Sequence, residues 1–169
     1  MTAAELLDVY ISAGSNVDPE KNLRLACKEL EGAFGLLSRS SVYRTKAIGF
    51  DGDDFLNTVI CFATRDSLDP IVAELERIEI LSGRKPAATA FSPRTLDLDL
   101  LLYGEHVLDD PQLSLPRADI TKYAFVLGPM AELAPDLRHP GSGKTMRDLW
   151  AAFDQTDQPI QRLAEFSLV

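Results

Sequence analysis

Strand-like and helix-like periodicities alternate along this chain, and their order is what most restricts its fold. Val9–Ala13 is a short apolar run ending in Gly14-Ser15-Asn16. Asp18-Pro19-Glu20 reads as an N-cap, a first-turn proline and a favourably placed acid. Behind it, Leu23, Ala26/Cys27, Leu30 and Ala33/Phe34 recur at helical spacing. Leu36–Thr45 predicts a strand with Val42 and Tyr43 near its end, and Ala47–Asp53 a glycine-bearing loop. Phe55–Thr64, rich in β-branched and aromatic residues, predicts another strand. Ser67–Leu81 predicts a second amphipathic helix, with Pro70 near its start, Ile71, Leu75 and Ile78 on one face, and Gly83 as C-cap. Arg84–Arg94 follows as a loop of eleven residues, and Thr95–Tyr103 as a strand. The order βαββαβ is the ferredoxin-like arrangement, an α+β fold (α/β sandwich) with an antiparallel sheet. The last third adds a C-terminal hairpin signal at Tyr103-Gly104-Glu105-His106 and a proline-bounded stretch Pro111–Pro116. Short helices near Ala124–Leu133 and Met146–Phe153 come next, and then a strand near Pro159–Phe166.

At 169 residues the expectation is one domain, 1–169, with a sizeable core. Seventeen basic against 26 acidic side chains give −9, which argues against nucleic acid or an anionic membrane as partner of the whole surface. No window is long and apolar enough to span a bilayer, and MTAAELLDVY has neither the basic nor the apolar region of a signal peptide. Cys27 and Cys61 are too few for a disulfide scaffold, so reducing cytoplasm is the expected setting.

The segment Thr95-Leu96-Asp97-Leu98-Asp99-Leu100 carries the chemistry. On a strand, Asp97 and Asp99 share a face about 6–7 Å apart, while Leu96, Leu98 and Leu100 face the core. A solvated edge strand is one reading. A hard-cation site is the other, because aspartate is a poor strand former, like charges repel, and carboxylate oxygens suit such cations. The preceding loop holds Arg84, Lys85 and Arg94 and no acid. A positive island before a carboxylate pair suits phosphoryl transfer, where Mg²⁺ and guanidinium groups share the phosphate charge. A surface salt-bridge cluster is its structural alternative. Gly141-Ser142-Gly143-Lys144-Thr145 imitates a phosphate-binding loop, but Arg138 stands where the motif needs glycine, and only 24 residues follow Thr145. Thr145–Asp148 instead resembles a capping box.

From about Val9 to Trp150 the sequence resembles the 6-hydroxymethyl-7,8-dihydropterin pyrophosphokinase family. The strongest match is Pro93-Arg94-Thr95-Leu96-Asp97-Leu98-Asp99 to its Pro-Arg-x-x-Asp-x-Asp signature. Supporting pieces are Gly14-Ser15-Asn16, Tyr43-Arg44-Thr45, Phe55-Leu56-Asn57, Glu79 with Gly83-Arg84, and Ala124-Phe125-Val126-Leu127 leading to Glu132-Leu133-Ala134-Pro135. The resemblance implies transfer of pyrophosphate from ATP to the pterin hydroxymethyl oxygen, releasing AMP, in folate biosynthesis. It implies two Mg²⁺ ions on Asp97 and Asp99, and phosphate-gripping arginines at Arg84 and Arg94. Further ATP contacts are implied at Glu79, Leu100, Ser114 and Arg117. On the pterin side it implies Phe55 and Phe125 as a ring sandwich, Asn57 on the guanine-like edge, and Gly14, Thr45, Ile48 and Phe91 around it. Asn57 has both the carbonyl and the amide that such an edge needs. Taken singly, Phe55 and Phe125 also fit a core, and Asn57 a strand end. His106 and His139 are scattered and read as structural.

The chain differs from the family pattern around ATP. Phe91 stands for a frequent tryptophan, Ser92 for glycine or alanine, and Ala90 for a polar or basic residue. Arg117 stands for a histidine and Tyr123 for an arginine, and Pro86 and Ala87 replace basic residues. Two other readings are therefore carried: a paralogue that binds pterin or nucleotide with weak or no transfer, and a two-metal nucleotide transferase with another acceptor. The expected partners are ATP and the dihydropterin, without nucleic acid or membrane, on a monomer or weak dimer.

Overall fold

A computed structural model describes residues 4–46, 52–83, 96–164 and 168. Arg84, Lys85, Phe91 and Arg94, most of the Ala47–Asp53 loop with Ile48, and the end of the C-terminal strand expectation lie outside the described residues. The elements run β1 (Leu7–Ser15), α1 (Pro19–Phe34), β2 (Ser38–Arg39), β3 (Val42–Thr45), β4 (Phe55–Thr64), α2 (Leu68–Leu81) and β5 (Asp97–Tyr103). After these come β6 (Leu108–Asp109), β7 (Ser114–Leu115), α3 (Asp119–Lys122), α4 (Ala124–Leu133), α5 (Met146–Ala152) and β8 (Gln161–Leu163).

The main sheet has the order β5-β1-β4-β3-β8, with β2 also on β4, and its pairings are all antiparallel. β4 lies between β1 and β3, the split βαβ of the ferredoxin-like core. Strand alternation divides the side chains between two layers. One core packs Val9, Ile11, Leu56, Phe62, Leu98 and Leu100 against Leu23 and Leu30 of α1 and Ile71, Leu75 and Ile78 of α2. Phe62 stacks on Phe34 at 4.1 Å between ring centroids. A second core, on the opposite face, joins Tyr10, Val59 and Leu101 to Ile120, Val126, Leu127, Met130 and Met146. Each fully buried aliphatic side chain here contributes roughly 1.5–3 kcal/mol.

Three expectations need correction. Asp18 does precede α1, but it has a left-handed backbone (φ 42°) and makes no side-chain cap. Ser15 Oγ and Asn22 Nδ2 instead donate to the Val17 carbonyl at 2.9 and 2.7 Å, and they shape the turn. Leu36–Thr45 is not one strand. Ser40 donates to Val59 O at 2.9 Å, while Tyr43 already faces Asn57, so one extra residue is inserted on this side. The turn at Tyr103–His106 forms, but it does not fold a strand back onto β5. The hairpin is β6 with β7, one connection later.

Gly141–Thr145 is a turn closed on His139, whose Nδ1 accepts from the amides of Gly141 and Ser142, both at 3.1 Å. Thr145 caps α5 by accepting from Asp148 N at 3.2 Å. Cys27 and Cys61 are free thiols. Among the described residues no helix is long and apolar enough to cross a membrane.

Candidate active site

The face carrying the second core becomes polar toward one end of the sheet. In β1, Tyr10, Ser12 and Gly14 share that face, and Gly14 lies opposite both Asn57 of β4 and Asp97 of β5. Tyr43 extends the same row on β3. The row therefore reads Tyr43, Asn57, Gly14, Asp97 across four strands. In the next row Ser12 sits between Val59 and Asp99, and on the other side Thr45 pairs with Phe55.

The extra residue between β2 and β3 is what builds this row. Ser38 has the site face in β2; past the insertion, Tyr43 and Thr45 do. A regular strand would have turned Val42 and Arg44 toward the site instead.

Asn57 is buried at 3% exposure, and its Nδ2 donates to Thr45 Oγ1 at 2.9 Å. Its carbonyl leans over Gly14: a Cβ at residue 14 would stand 2.7 Å from Asn57 Oδ1. Any side chain at Gly14 would push the amide aside. Asn16, also buried, donates to Asp53 O at 3.3 Å and ties the end of the loop before β4 to β1.

Asp97 and Asp99 are both half-buried, with Leu98 buried between them. Among the described residues β5 is an edge strand, and the outward Leu98 amide donates to Oε2 of the buried Glu79 at 3.3 Å. Glu79 thus holds the strand at the residue between the two carboxylates. Arg117 is fixed by its own amide, which donates to Leu101 O at 3.0 Å. Its Nη2 lies 3.5 Å from Asp99 Oδ1, and its Nε donates to Asp119 Oδ2 at 3.0 Å. Burial opposes the guanidinium charge, but Asp99, Asp119 and Asp97 outweigh it and raise its pKa.

The remaining expected residues divide. Leu100 has its side chain in the α1/α2 core, so only its backbone is available to a nucleotide. Ser114 is exposed on β7 and donates to Asp110 O at 3.2 Å. Phe125, in the first turn of α4, stacks on Tyr123 at 5.1 Å on the site side of the sheet. Phe55 opens β4, half-buried. His139 is buried and serves its turn, and His106 rests against Tyr103. Ser12 and Tyr43 share the face of this row and Asp119 holds Arg117, and no pattern in the sequence assigns any of the three to a site. Ser12 comes nearest, as the polar member of the Tyr10–Ser12–Gly14 alternation.

Among the described residues no three His, Cys, Asp or Glu side chains group as a complete metal cage. The donor set is two hard carboxylates, Asp97 and Asp99, side by side. It fits Mg²⁺, which binds through one or two carboxylates and completes its octahedron with water and phosphate.

The family model for 7,8-dihydro-6-hydroxymethylpterin-pyrophosphokinase matches residues 10–135. The chain belongs to this family. The pyrophosphokinase of Pseudomonas aeruginosa is 37% identical over 148 residues, covering 85% of this chain and 90% of that one. The one from Haemophilus influenzae is 36% identical over 141 residues, covering 81% and 88%. The one from Synechocystis sp. is 38% identical over 151 residues, covering 86% and 76%. Each is named 2-amino-4-hydroxy-6-hydroxymethyldihydropteridine pyrophosphokinase. Among solved structures, Plasmodium falciparum HPPK-DHPS with pterin and p-hydroxybenzoate superposes at a TM-score of 0.71 and 13% identity, over 89% of this chain. The chain spans 44% of that longer protein, and the likeness is one of fold. As a member of the pyrophosphokinase family, the chain is an ATP-dependent transferase.

Proposed function

We propose that the chain transfers the pyrophosphoryl group of ATP to the hydroxymethyl oxygen of 6-hydroxymethyl-7,8-dihydropterin, releasing AMP, as a step of folate biosynthesis. One observation carries the site assignment: Asn57 and Asp97 flank Gly14 in a single cross-strand row. The two side chains are two strand spacings apart, roughly 9–10 Å. That separation suits a pterin whose amide edge meets Asn57 and whose hydroxymethyl arm reaches the carboxylates.

Asn57 reads the donor and acceptor edge, oriented by its bond to Thr45. Gly14 and the backbone near Thr45–Ile48 complete the edge contacts, and Phe55, Phe125 and Phe91 enclose the ring. Asp97 and Asp99 would hold two Mg²⁺ ions together with the ATP phosphates. Bound there, the metal lowers the hydroxyl pKa and neutralises phosphate charge, so no histidine base is required. Arg84 and Arg94 grip the polyphosphate. Glu79, the Leu100 backbone, Ser114 and Arg117 line the nucleotide side. The hydroxymethyl oxygen bonds to the β-phosphorus as the bond from that phosphorus to the α,β-bridging oxygen breaks, the hydroxyl proton passes to water, and AMP carries away the electron pair on the bridging oxygen. The chain works as a single domain, 1–169, in the cytoplasm, as a monomer or weak dimer without nucleic acid. The net charge of −9 and the free thiols support this setting.

The test is purified protein with ATP, Mg²⁺ and the hydroxymethyl-dihydropterin, measuring AMP. AMP formed in step with pterin consumption is the expected result. A silent protein that binds pterin tightly would instead be a non-transferring paralogue. AMP formed only with another acceptor would reassign the substrate.

A further inference from the structure

Arg117 bridges two carboxylates of different standing. Its Nε–H bond to Asp119 at 3.0 Å is a true hydrogen bond. Its 3.5 Å approach to Asp99 is an ion pair without one. Asp119 opens α3, off the sheet, whereas Asp99 is one of the two carboxylates assigned above to metal. The backbone bond from Arg117 to Leu101 O fixes the base of the side chain beside β5. A guanidinium therefore occupies part of the charge environment that a divalent cation would need, and it is held more firmly by the other acid. Arginine suits this double role, because its planar fork keeps one donor on Asp119 while the remaining N–H groups turn to another acceptor.

We propose that Arg117 is a resident counter-cation for Asp99 that competes with free metal and hands Asp99 over only when metal arrives with polyphosphate. The proposal rests on the assignment of Asp97 and Asp99 to metal. Without nucleotide, a metal ion at Asp99 meets the Arg117 charge at close range and binds weakly. With nucleotide, the freed Nη groups of Arg117 gain phosphate oxygens while Nε stays on Asp119. The swap replaces a loose ion pair with charge-assisted hydrogen bonds. Metal and nucleotide thereby promote each other's binding, and Arg117 adds to the coupling that direct metal–phosphate contact supplies.

The test measures Mn²⁺ binding by electron paramagnetic resonance, with and without α,β-methylene-ATP, for wild type, Arg117→Met and Arg117→Gln. Asp99 and Asp119 are partly exposed, with side chains at 28% and 26%, so removing their partner leaves the fold intact, checked by circular dichroism. Both variants are expected to bind Mn²⁺ alone about three- to fivefold more tightly than wild type. They are expected to bind it with the analogue about tenfold or more weakly. Unchanged or weaker binding of Mn²⁺ alone in both variants overturns the proposal. Asp97→Asn and Asp99→Asn serve as controls. If neither alters Mn²⁺ binding, the metal assignment itself fails, a result distinct from failure of the Arg117 exchange.

Discussion

Gly14 and Asn57 are coupled so tightly that a single methyl group tests the pterin half of the site. A Cβ at residue 14 would sit 2.7 Å from Asn57 Oδ1, inside van der Waals contact. Gly14→Ala should therefore displace the amide, raising the pterin KM about tenfold while ATP affinity stays within twofold. Equal losses for both substrates would argue that residue 14 acts through general stability. At the other end of the row, Asp97→Ala removes a proposed metal ligand and also relieves repulsion with Asp99. Turnover should fall at least about a hundredfold with little change in melting temperature, read by an AMP assay beside a thermal melt. Retained turnover would refute metal ligation by Asp97. The carboxylate pair was legible because alternation within one strand is local information. Ser12 and Asp119 were not, because their relevance depends on which strand or loop lies opposite.

Between elements, the bulge before β3 and the clamp behind it determine which side chains reach the site. Glu132 of α4 accepts from Ser41 N, from Ser41 Oγ at 2.6 Å and from Tyr43 Oη at 2.7 Å. Two motifs noted separately along the chain, Tyr43-Arg44-Thr45 and Glu132-Leu133-Ala134-Pro135, are thus one contact between β3 and α4. Partial burial opposes the Glu132 charge, but the bonds from Ser41 and Tyr43, with Arg162 nearby, outweigh it and depress its pKa. A carboxylate with a depressed folded-state pKa stabilises the protein above its unfolded value and loses that contribution as pH falls through the folded value. Glu132→Gln should thus cost about 0.5–1 kcal/mol at pH 7, discounted for exposure, and less at pH 3. Melting curves of both proteins at the two pH values check this, and a constant difference would contradict it. The element order and the long strand Phe55–Thr64 were readable because propensity and periodicity agree there. The break in Leu36–Thr45 was not. Its cause is Ser40, which donates its amide to Val59 O and takes the Val59 amide on its hydroxyl at 3.0 Å, a pairing across strands.

Across the whole molecule, the sheet separates stability from chemistry. The α1/α2 face is mostly apolar, with Thr58 a buried polar exception, while the opposite face gives way from Val126, Met130 and Met146 to the polar row. The net charge of −9 is an average over a surface that includes Arg117, and it does not describe the place where ATP would bind. In the proposed orientation the pterin lies along the row, its amide edge at Asn57 and its hydroxymethyl arm at Asp97 and Asp99. The most direct measurement is paramagnetic relaxation of a bound ¹³C-labelled hydroxymethylpterin by Mn²⁺, in the complex with α,β-methylene-ATP. The strongest relaxation is expected at the hydroxymethyl carbon and the weakest at the amide edge. The reverse order, or equal relaxation at both ends, would contradict it.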